Sequence, residues 1–194
     1  NLKKNGVASP NNKTIEFETI HSFAKKDDGI KKLIVWRNLN KKYLRDTSPT
    51  NIKKTQEWLN GLLNDDSRLI FILRNVERNL LPFGMIGISS FNLSKSTCFL
   101  ESVMKFNNMG PRNGMFLAVN HTCHWIKKRM KIKKIRVNCF LDVLNAVSLY
   151  HKCNFKPVEL IPLNKRRKST GIEWIKGRRE SIADRYYLVM EKTK

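Results

Sequence analysis

Apolar residues recur at helical spacing in two early segments. In the first they are Ile30, Leu33, Ile34 and Leu39, and in the second Trp58, Leu59, Leu62 and Leu63. A period of three to four residues predicts two amphipathic helices. Thr50 or Asn51 can cap the second helix, and the polar run Asn64–Asp66 ends it.

Short alternating runs predict strands, one before these helices and the others after them. The first four are "KTIEFETI", "RLIFILRNV", "FGMIGISSFN" and "TCFLESVMKF". Helix and strand then alternate in the order "MFLAVNHTCHWIKKRM", "IKKIRVNCFL", "DVLNAVSLYHKCNF" and "FKPVELIPL", and the basic loop "NKRRKSTGIEWIKGRRESIAD" precedes a last strand, "RYYLVMEK". The early strands are joined by hairpins and the later ones by helices. This order predicts an α/β (α+β) fold with a mixed sheet, in which only the later half has parallel strands.

The chain of 194 residues is long enough for one hydrophobic core. We expect one domain over residues 14–194, after a flexible N-terminus at residues 1–13. That N-terminus is polar and lacks the apolar stretch of a signal peptide. No run is long enough to span a bilayer, so no membrane association is expected.

The four cysteines show no CxxC spacing and lie in apolar segments. This pattern is typical of reduced thiols in a cytoplasmic protein, and it predicts neither a disulfide framework nor a metal site. His121 and His124 are three residues apart, as helical metal ligands can be, but no acidic or sulfur partner accompanies them. We interpret these histidines as helix-surface or substrate-cleft residues.

The formal net charge is +22. Such a field attracts nucleic acid, anionic lipid or phosphorylated small molecules. The basic residues are spread along the chain, with local runs at "KKRMKIKK" and "NKRRK", and no RNA-binding signature or helix-turn-helix pattern accompanies them. A lysine- and asparagine-rich composition is also what AT-rich coding produces. Nucleic-acid binding is therefore not expected as the main function.

The junction "FLESVMKF–NNMGPRNG–MFLAVNHTCHW" joins a strand to a helix through a glycine-bearing loop. Unpaired N–H groups and the positive end of the helix dipole make such a junction a phosphate site, although strand–Gly–helix junctions also occur for steric reasons alone. The candidate phosphate-binding residues are Gly110, Arg112, Asn113 and Gly114.

Two stretches resemble the GNAT (Gcn5-related) N-acetyltransferases. That family holds the pyrophosphate of acetyl-coenzyme A (acetyl-CoA) in a loop of the form Arg/Gln-x-x-Gly-x-Gly/Ala. In this chain the corresponding loop is Met109–Gly114. Gly114 fits the pattern, whereas Met109 and Arg112 depart from it. Pro111 has no backbone N–H to donate. The second stretch, Asn145–Phe155, resembles the family's "Asn…Ala…LeuTyr–x–Lys–x–GlyPhe", with Asn154 in place of glycine.

The resemblance covers residues 15 to 192 and implies the GNAT fold: a mixed central sheet of about seven strands and about four helices, splayed between its two central parallel strands. It also implies direct transfer of acetyl from acetyl-CoA to a primary amine, without a metal. Tyr150 then protonates the departing thiolate, unless it is a core tyrosine. The implied cofactor contacts are the backbone of Val103, Met104 and Lys105, together with Asn145.

Glu101, on the strand before the phosphate loop, is the candidate general base; a solvent-facing carboxylate is the alternative, and a water chain or His121 could take its place. Trp36, Arg37 and Asn38 could line the acceptor pocket, with Arg37 suited to a phosphate or carboxylate. Simple packing of Trp36 between helix and sheet is the alternative. The basic loop from Lys165 to Arg179 could close over an anionic acceptor.

The segments "VWRN" and "TQEWL" look like the bacterial subgroup that includes ribosomal-protein and nucleotide-amino-sugar acetyltransferases. We therefore expect a small-molecule amine acceptor, an amino sugar on an anionic nucleotide sugar, and a monomer or homodimer. Two alternatives stay open. One is acetylation of a protein N-terminus or lysine, and the other is a non-catalytic basic module that binds nucleic acid.

Overall fold

The computed structural model describes residue 10 and residues 13–177 and 182–193. Its central element is one sheet of eight strands in the order β1-β2-β3-β4-β5-β8-β6-β7. The strands are β1 (Ile15–Thr19), β2 (Leu69–Asn75), β3 (Leu81–Asn92), β4 (Thr97–Lys105), β5 (Lys134–Phe140), β6 (Lys156–Lys168), β7 (Gly171–Lys176) and β8 (Arg185–Lys192). The helices are α1 (Ile20–Ala24), α2 (Gly29–Leu39), α3 (Ile52–Leu63), α4 (Gly114–Met130) and α5 (Leu144–Lys152).

The pairing of strands confirms the predicted mixed sheet. Strands β4 and β5 pair in parallel, and every other neighbouring pair is antiparallel. The predicted helices and strands are all present. Part of the predicted basic loop is instead the β6–β7 hairpin, because Ile172 and Trp174 alternate with polar residues and Gly171 follows the turn. Residues 178–181 of that loop, and the predicted flexible N-terminus except residues 10 and 13, lie outside the described residues.

Two apolar clusters cover the two faces of the sheet. The larger packs α4 and α5 on one face, around Ile86, Ile88, Val119, Ile126 and Ile135. The smaller packs α1, α2 and α3 on the other face, around Phe23, Leu33, Leu59 and Ile72. No helix in the described residues is long and apolar enough to cross a membrane.

Candidate active site

A gap opens between the two parallel strands at the centre of the sheet. Strands β4 and β5 pair only where Thr97–Leu100 meets Lys134–Val137, and beyond these residues they diverge. A β-bulge in β4 accompanies the divergence: Ser102 has φ 51°, and the register with β3 shifts between Met85 and Gly87. The predicted splay is therefore present, and it leaves the facing edges of both strands unpaired in this region.

The gap widens into a cavity of about 490 Å³, here called the cleft. Its walls come from β4, β5, β8, the first turn of α4, α5 with the residue before it, and the segment that follows α2. They include Val103, Met104, Lys105, Asn138, Asn145 and Tyr150. An extended chain that carries amides can pair with an open strand edge, because the unpaired N–H and C=O groups alternate along it. The cleft thus brings together four of the predicted cofactor residues and the predicted proton donor.

Tyr150 lies in the wall of the cleft at the end of α5. Its side chain is 4% exposed and packs edge-on against Phe155, with ring centroids 5.8 Å apart. Within the described residues the phenol makes no hydrogen bond, which separates it from a core tyrosine bonded to backbone. Burial raises the pKa of Tyr150, and nearby Cys139, Cys153 and Cys123 add to the effect. The phenol therefore stays protonated at neutral pH, as a proton donor requires.

The turn after Tyr150 explains a departure from the family pattern. Asn154 has φ 63°, and the N–H of Phe155 donates to the carbonyl of Tyr150 at 3.0 Å. The helix therefore ends in the left-handed conformation that usually takes glycine, and asparagine adopts it more readily than most other residues. The position of the tyrosine at the helix end is thereby kept without the glycine.

A thiol also reaches the cleft, at a place the sequence did not single out. Cys139 on β5 is part of the wall, and burial raises its pKa to about 11. A thiol with such a pKa is protonated at neutral pH and is a poor nucleophile. The cleft thus supplies protonated groups, which fits direct transfer better than a covalent cysteine intermediate.

Glu101 also lines the cleft, but its carboxylate is already occupied. Arg68 donates from Nε at 2.9 Å to one oxygen and from Nη2 at 3.1 Å to the other. Both oxygens are therefore engaged by one guanidinium in charge-assisted hydrogen bonds. No local sequence signal points to this partner, which lies 33 positions away on the α3–β2 connection.

The β4–α4 loop (residues 106–113) has the place of the predicted phosphate loop, and it is held from below by β2 and β3. A Cβ on Gly110 would come within 2.6 Å of the Phe83 ring, and one on Gly114 within 3.1 Å. Both glycines therefore serve close packing on Phe83. Asn75, 1% exposed, donates its side-chain N–H to the carbonyl of Met109 at 2.8 Å. The sequence analysis missed this support.

The start of α4 supplies only part of the expected donors, because buried Gly114 already donates its N–H to the carbonyl of Pro111 at 2.9 Å. Asn113 adopts φ 57° ahead of the helix and makes no capping hydrogen bond through its side chain. The first-turn N–H groups of a helix have no partner within the helix, and its dipole adds partial positive charge. Arg112 is exposed beside them, and Met115 in the first turn lines the cleft. An anion on a chain bound in the cleft can be held here.

A second cavity, of about 480 Å³, lies beside the cleft and shares Leu44, Ser102 and Met104 with it. We call it the lateral cavity; its walls come from α2, α3, β4 and the turn of the β6–β7 hairpin. Trp36 lines it and stacks on Phe106, with centroids 3.9 Å apart and planes at 11°. Trp36 thus both packs against the sheet and forms part of this wall, alongside Trp58.

The charged side chains in the walls of the lateral cavity are Arg37, Lys54, Lys168 and Asp46. Burial alone would raise the pKa of Asp46, but hydrogen bonds from Lys168 and Ser48 outweigh it and hold the pKa well below 3.8. Burial lowers the pKa of Arg37 while Asp46 partly offsets this, and a guanidinium remains charged under such a shift. Three cations thus stand against one carboxylate.

The β6–β7 hairpin closes one side of the lateral cavity. Thr47 N donates to the carbonyl of Ile172 at 2.9 Å, and Ile172 N donates to Thr47 Oγ1 at 2.8 Å. A Cβ on Gly171 would lie 2.7 Å from the nitrogen of Ser48, so only glycine permits this contact. From the predicted basic loop, Lys168, Ser169 and Thr170 line the lateral cavity; that the loop closes over an acceptor stays a prediction.

Two predicted site residues lie elsewhere. Asn38 exchanges hydrogen bonds with the backbone of Thr50, donating at 3.1 Å and accepting at 2.9 Å, and so fixes the connection between α2 and α3. His121 lies on α4 outside the walls of both cavities. Burial lowers its pKa, and neighbouring His124 lowers it further. No group of three metal-ligating side chains occurs in the described part of the chain.

Comparison with known proteins gives the fold a name. No protein-family model matches the sequence, and no curated protein matches it significantly. Among solved structures, spermidine N-acetyltransferase from Vibrio cholerae in complex with CoA and spermine superposes with a TM-score of 0.68 at 12% identity, covering 94% of this chain and 96% of that one.

Two further structures give similar agreement. The microcin C7 self-immunity acetyltransferase MccE, in complex with acetyl-CoA and AMP, has a TM-score of 0.67 at 13% identity and covers 94% of each chain. Campylobacter jejuni N-acetyltransferase PseH, with acetyl-CoA, has a TM-score of 0.61 at 13% identity and covers 93% of this chain and 99% of that one. The chain therefore has the fold of the GNAT N-acetyltransferases.

Proposed function

We propose that this protein is an acetyl-CoA-dependent N-acetyltransferase whose acceptor is a primary amine on a phosphate-bearing small molecule, an amino sugar of a nucleotide-linked sugar. One observation carries the proposal. A buried phenol without a hydrogen-bond partner in the described residues lines a gap between two parallel strands, and that gap opens into a second, cationic cavity. The three structures of this fold described above, each named an acetyltransferase, support the reaction class.

The residues of the cleft fit acetyl-CoA. The open edge of β4 at Val103–Lys105 and the Asn145 side chain suit the amides of the pantetheine arm, and the start of α4 with Arg112 suits the pyrophosphate. When bound, acetyl-CoA supplies an acetyl group activated as a thioester. Tyr150, whose phenol is protonated at neutral pH, then donates its proton to the departing sulfur.

The acceptor amine must lose a proton before it attacks. Each carboxylate in the walls is engaged: Glu101 by Arg68, and Asp46 by Lys168 at 2.7 Å. No free carboxylate therefore stands ready as a base among the described wall residues. An amine of lysine type, with a pKa of about 10.4, meets a high barrier in such a site, whereas a less basic sugar amine loses its proton to water readily. This difference favours an amino sugar.

The charge of the lateral cavity favours the same acceptor. Lys168 is paired with Asp46 and Glu173, so Arg37 and Lys54 carry the excess positive charge of the walls, which repels a polyamine and attracts a phosphate. The ring of Trp36 is already stacked on Phe23 and Phe106, so Trp58 is the aromatic wall residue that suits a nucleotide base, because every base has a face that stacks on an aromatic ring. Of the similar structures, the one with AMP matches this chemistry and the one with spermine does not. A cavity of about 480 Å³ also suits a small molecule better than a protein.

The test is thiol release from acetyl-CoA with a panel of amines: uridine diphosphate-linked amino sugars, free amino sugars, spermidine, and peptides with a free N-terminus or lysine. We expect the nucleotide-linked amino sugars to give the highest kcat/KM. Acetylated peptide as the main product would replace this acceptor with a protein amine. Silence on every amine, with no calorimetric binding of acetyl-CoA, would leave a non-catalytic module. A cytoplasmic location and a monomeric or homodimeric state stay predictions.

A further inference from the structure

The longest stretch of the chain without Asp or Glu carries its densest run of Lys and Arg at one end of the central sheet. No Asp or Glu occurs between Glu101 and Asp142, whereas Lys and Arg are frequent there, most densely in "KKRMKIKK". In the sequence these cations appear as one run among several. In the fold, cations from other elements lie beside this run, so that together they form one patch of positive charge.

Three elements meet at this pole: the end of α4 with the loop after it, the start of β5, and the β3–β4 turn. Lys133 N and Lys134 N both donate to the carbonyl of Ser96 at 3.0 Å, and Ser96 Oγ donates to the carbonyl of Lys131 at 3.0 Å. The cations so gathered, all exposed and here called the basic pole, are Lys95, Lys128, Arg129, Lys131, Lys133 and Lys134.

None of these six side chains forms an ion pair within the described residues. The nearby carboxylate of Glu191 is held by Arg136 Nε at 2.7 Å. Beneath the pole, Lys127 donates to the carbonyl of Thr193 at 2.9 Å and Lys192 to Asn120 Oδ1 at 3.0 Å, so both add positive charge. The β6–β7 hairpin differs, because its Arg166 and Lys168 are paired with Glu173.

Helix stability explains part of this cluster only. Cations in the last turn of a helix interact favourably with its dipole, which accounts for Lys128 and Arg129. Lys133 and Lys134 belong to the loop and strand that follow, and Lys95 belongs to a hairpin turn, so none of these gains from the dipole. Like charges brought together without acids destabilise a fold, and a ligand of opposite charge removes that cost.

The pole lies at the end of the sheet opposite the cleft. Strands β4 and β5 are parallel; their first residues, Thr97 and Lys134, pair at the pole, and their last residues reach the cleft. A molecule bound at the pole therefore leaves the cleft open. The chemistry at the pole is point charge with one exposed large apolar side chain, Leu93, which is 76% exposed. Stable binding to a membrane surface usually combines cations with inserted apolar side chains or a lipid anchor, whereas a phosphate backbone is bound through the charges alone.

We propose that the basic pole binds the phosphate backbone of nucleic acid, without base specificity and independently of the cleft. The proposal does not rest on the acetyltransferase function, since none of the six side chains lines either cavity. It accounts for cations that neither the cleft nor helix stability uses.

The test compares two variants of equal charge. The pole variant changes Lys128, Arg129, Lys133 and Lys134 to Gln, and the control variant changes the exposed Lys25, Lys31, Lys53 and Lys156 to Gln; each lowers the formal charge by four, from +22 to +18. Fluorescence anisotropy measures the binding of a labelled 20-nucleotide single strand over a NaCl series, both without CoA and with CoA at saturation. Thermal unfolding and the acetyl-CoA assay confirm that each variant is folded.

We expect the pole variant to lose at least about tenfold in affinity and the control less than about threefold. The slope of log K against log salt should fall by about 3 for the pole variant, because each lost phosphate contact removes about 0.7. Equal losses in both variants would show that net charge alone binds and would overturn the proposal. So would tighter binding to phosphatidylserine vesicles than to the oligonucleotide, or release of the oligonucleotide by CoA. If the pole variant fails to fold, Lys95→Gln and Arg129→Gln singly, each on a different element, replace it.

Discussion

The cleft and the lateral cavity have three wall residues in common and nearly the same volume, but their walls consist of different chemical groups. The cleft consists of strand edges, apolar side chains and protonated phenol and thiol groups. The lateral cavity consists of charged and aromatic side chains brought from α2, α3 and the β6–β7 hairpin. Backbone edges recognise any chain of amides, whereas side-chain charges select among ligands. Under the proposed function, the reaction takes place in the cleft and the lateral cavity selects the acceptor.

The strongest test of this division removes the phenol. We expect Tyr150→Phe to lower kcat by about 100-fold, because the departing thiolate loses its proton donor. The affinity for acetyl-CoA and the melting temperature should stay unchanged, since the hydroxyl makes no hydrogen bond in the described residues. Steady-state thiol release and calorimetry measure the two effects. A variant with full turnover would make Tyr150 a core residue and remove it from the mechanism.

The second substitution removes a positive charge from the wall of the lateral cavity and leaves the cleft residues unchanged. Arg37→Gln should lower kcat/KM for a nucleotide-linked amino sugar by about 10- to 30-fold, because a charge-assisted hydrogen bond at the lower end of its range contributes about 1.5–2 kcal/mol. A free amino sugar, which carries no phosphate, serves as the control acceptor and should lose less than about threefold. Equal losses for both acceptors would mean that Arg37 supports the structure and does not select the phosphate.

A smaller effect should come from the support beneath the β4–α4 loop. Asn75→Ala removes the hydrogen bond to the Met109 carbonyl and should raise KM for acetyl-CoA about fivefold with kcat unchanged. Acetyl-pantetheine lacks the pyrophosphate, so kcat/KM with this donor should not change. The variant Ile15→Val, on the strand opposite Asn75, controls for lost stability. A parallel loss with both donors would show a general effect on the fold.

The variant Glu101→Gln tests whether the Glu101 carboxylate acts as the general base. Because both oxygens are held by Arg68, we expect turnover with an amino-sugar acceptor to fall by less than about threefold. The pH profile of kcat/KM should keep its shape and report only the acceptor amine. A fall of about 100-fold, together with loss of one limb of that profile, would instead make Glu101 the general base.

The smallest expected effect concerns the closure of the lateral cavity. Asp46→Asn removes the contact with Lys168 and should lower the melting temperature at pH 7 by about 2 °C, as for a partly exposed ion pair. Since folding lowers the pKa of Asp46, its contribution is present above the ordinary value of 3.8 and is lost as the pH falls below it. The difference between the two melting temperatures should therefore be constant above about pH 4 and should begin to shrink only below 3.8, and a difference that disappears above pH 4 would contradict this.

Local patterns in the sequence predicted much of the cleft. The order of strands and helices follows from apolar periodicity, which acts over a few residues. The tyrosine at the end of α5 and the loop before α4 lie in short contiguous stretches, so the resemblance found both. The sequence also contains a signal for the β6–β7 hairpin, since "STG" is a turn between two alternating runs. The many neighbouring cations led to its prediction as a loop.

By itself, the sequence determined the order of strands and helices and hence the mixed sheet, because periodicity, turn residues and helix ends are local properties; the gap between the parallel strands and the place of Tyr150 were predicted from the resemblance. Only the tertiary structure decided which charges are neutralised and which are free. It paired Glu101 with Arg68 and Asp46 with Lys168, and it left the cations of the basic pole without acids in the described residues. The reason is physical: a charge acts through whatever lies within a few ångströms of it, and those neighbours come from distant parts of the chain.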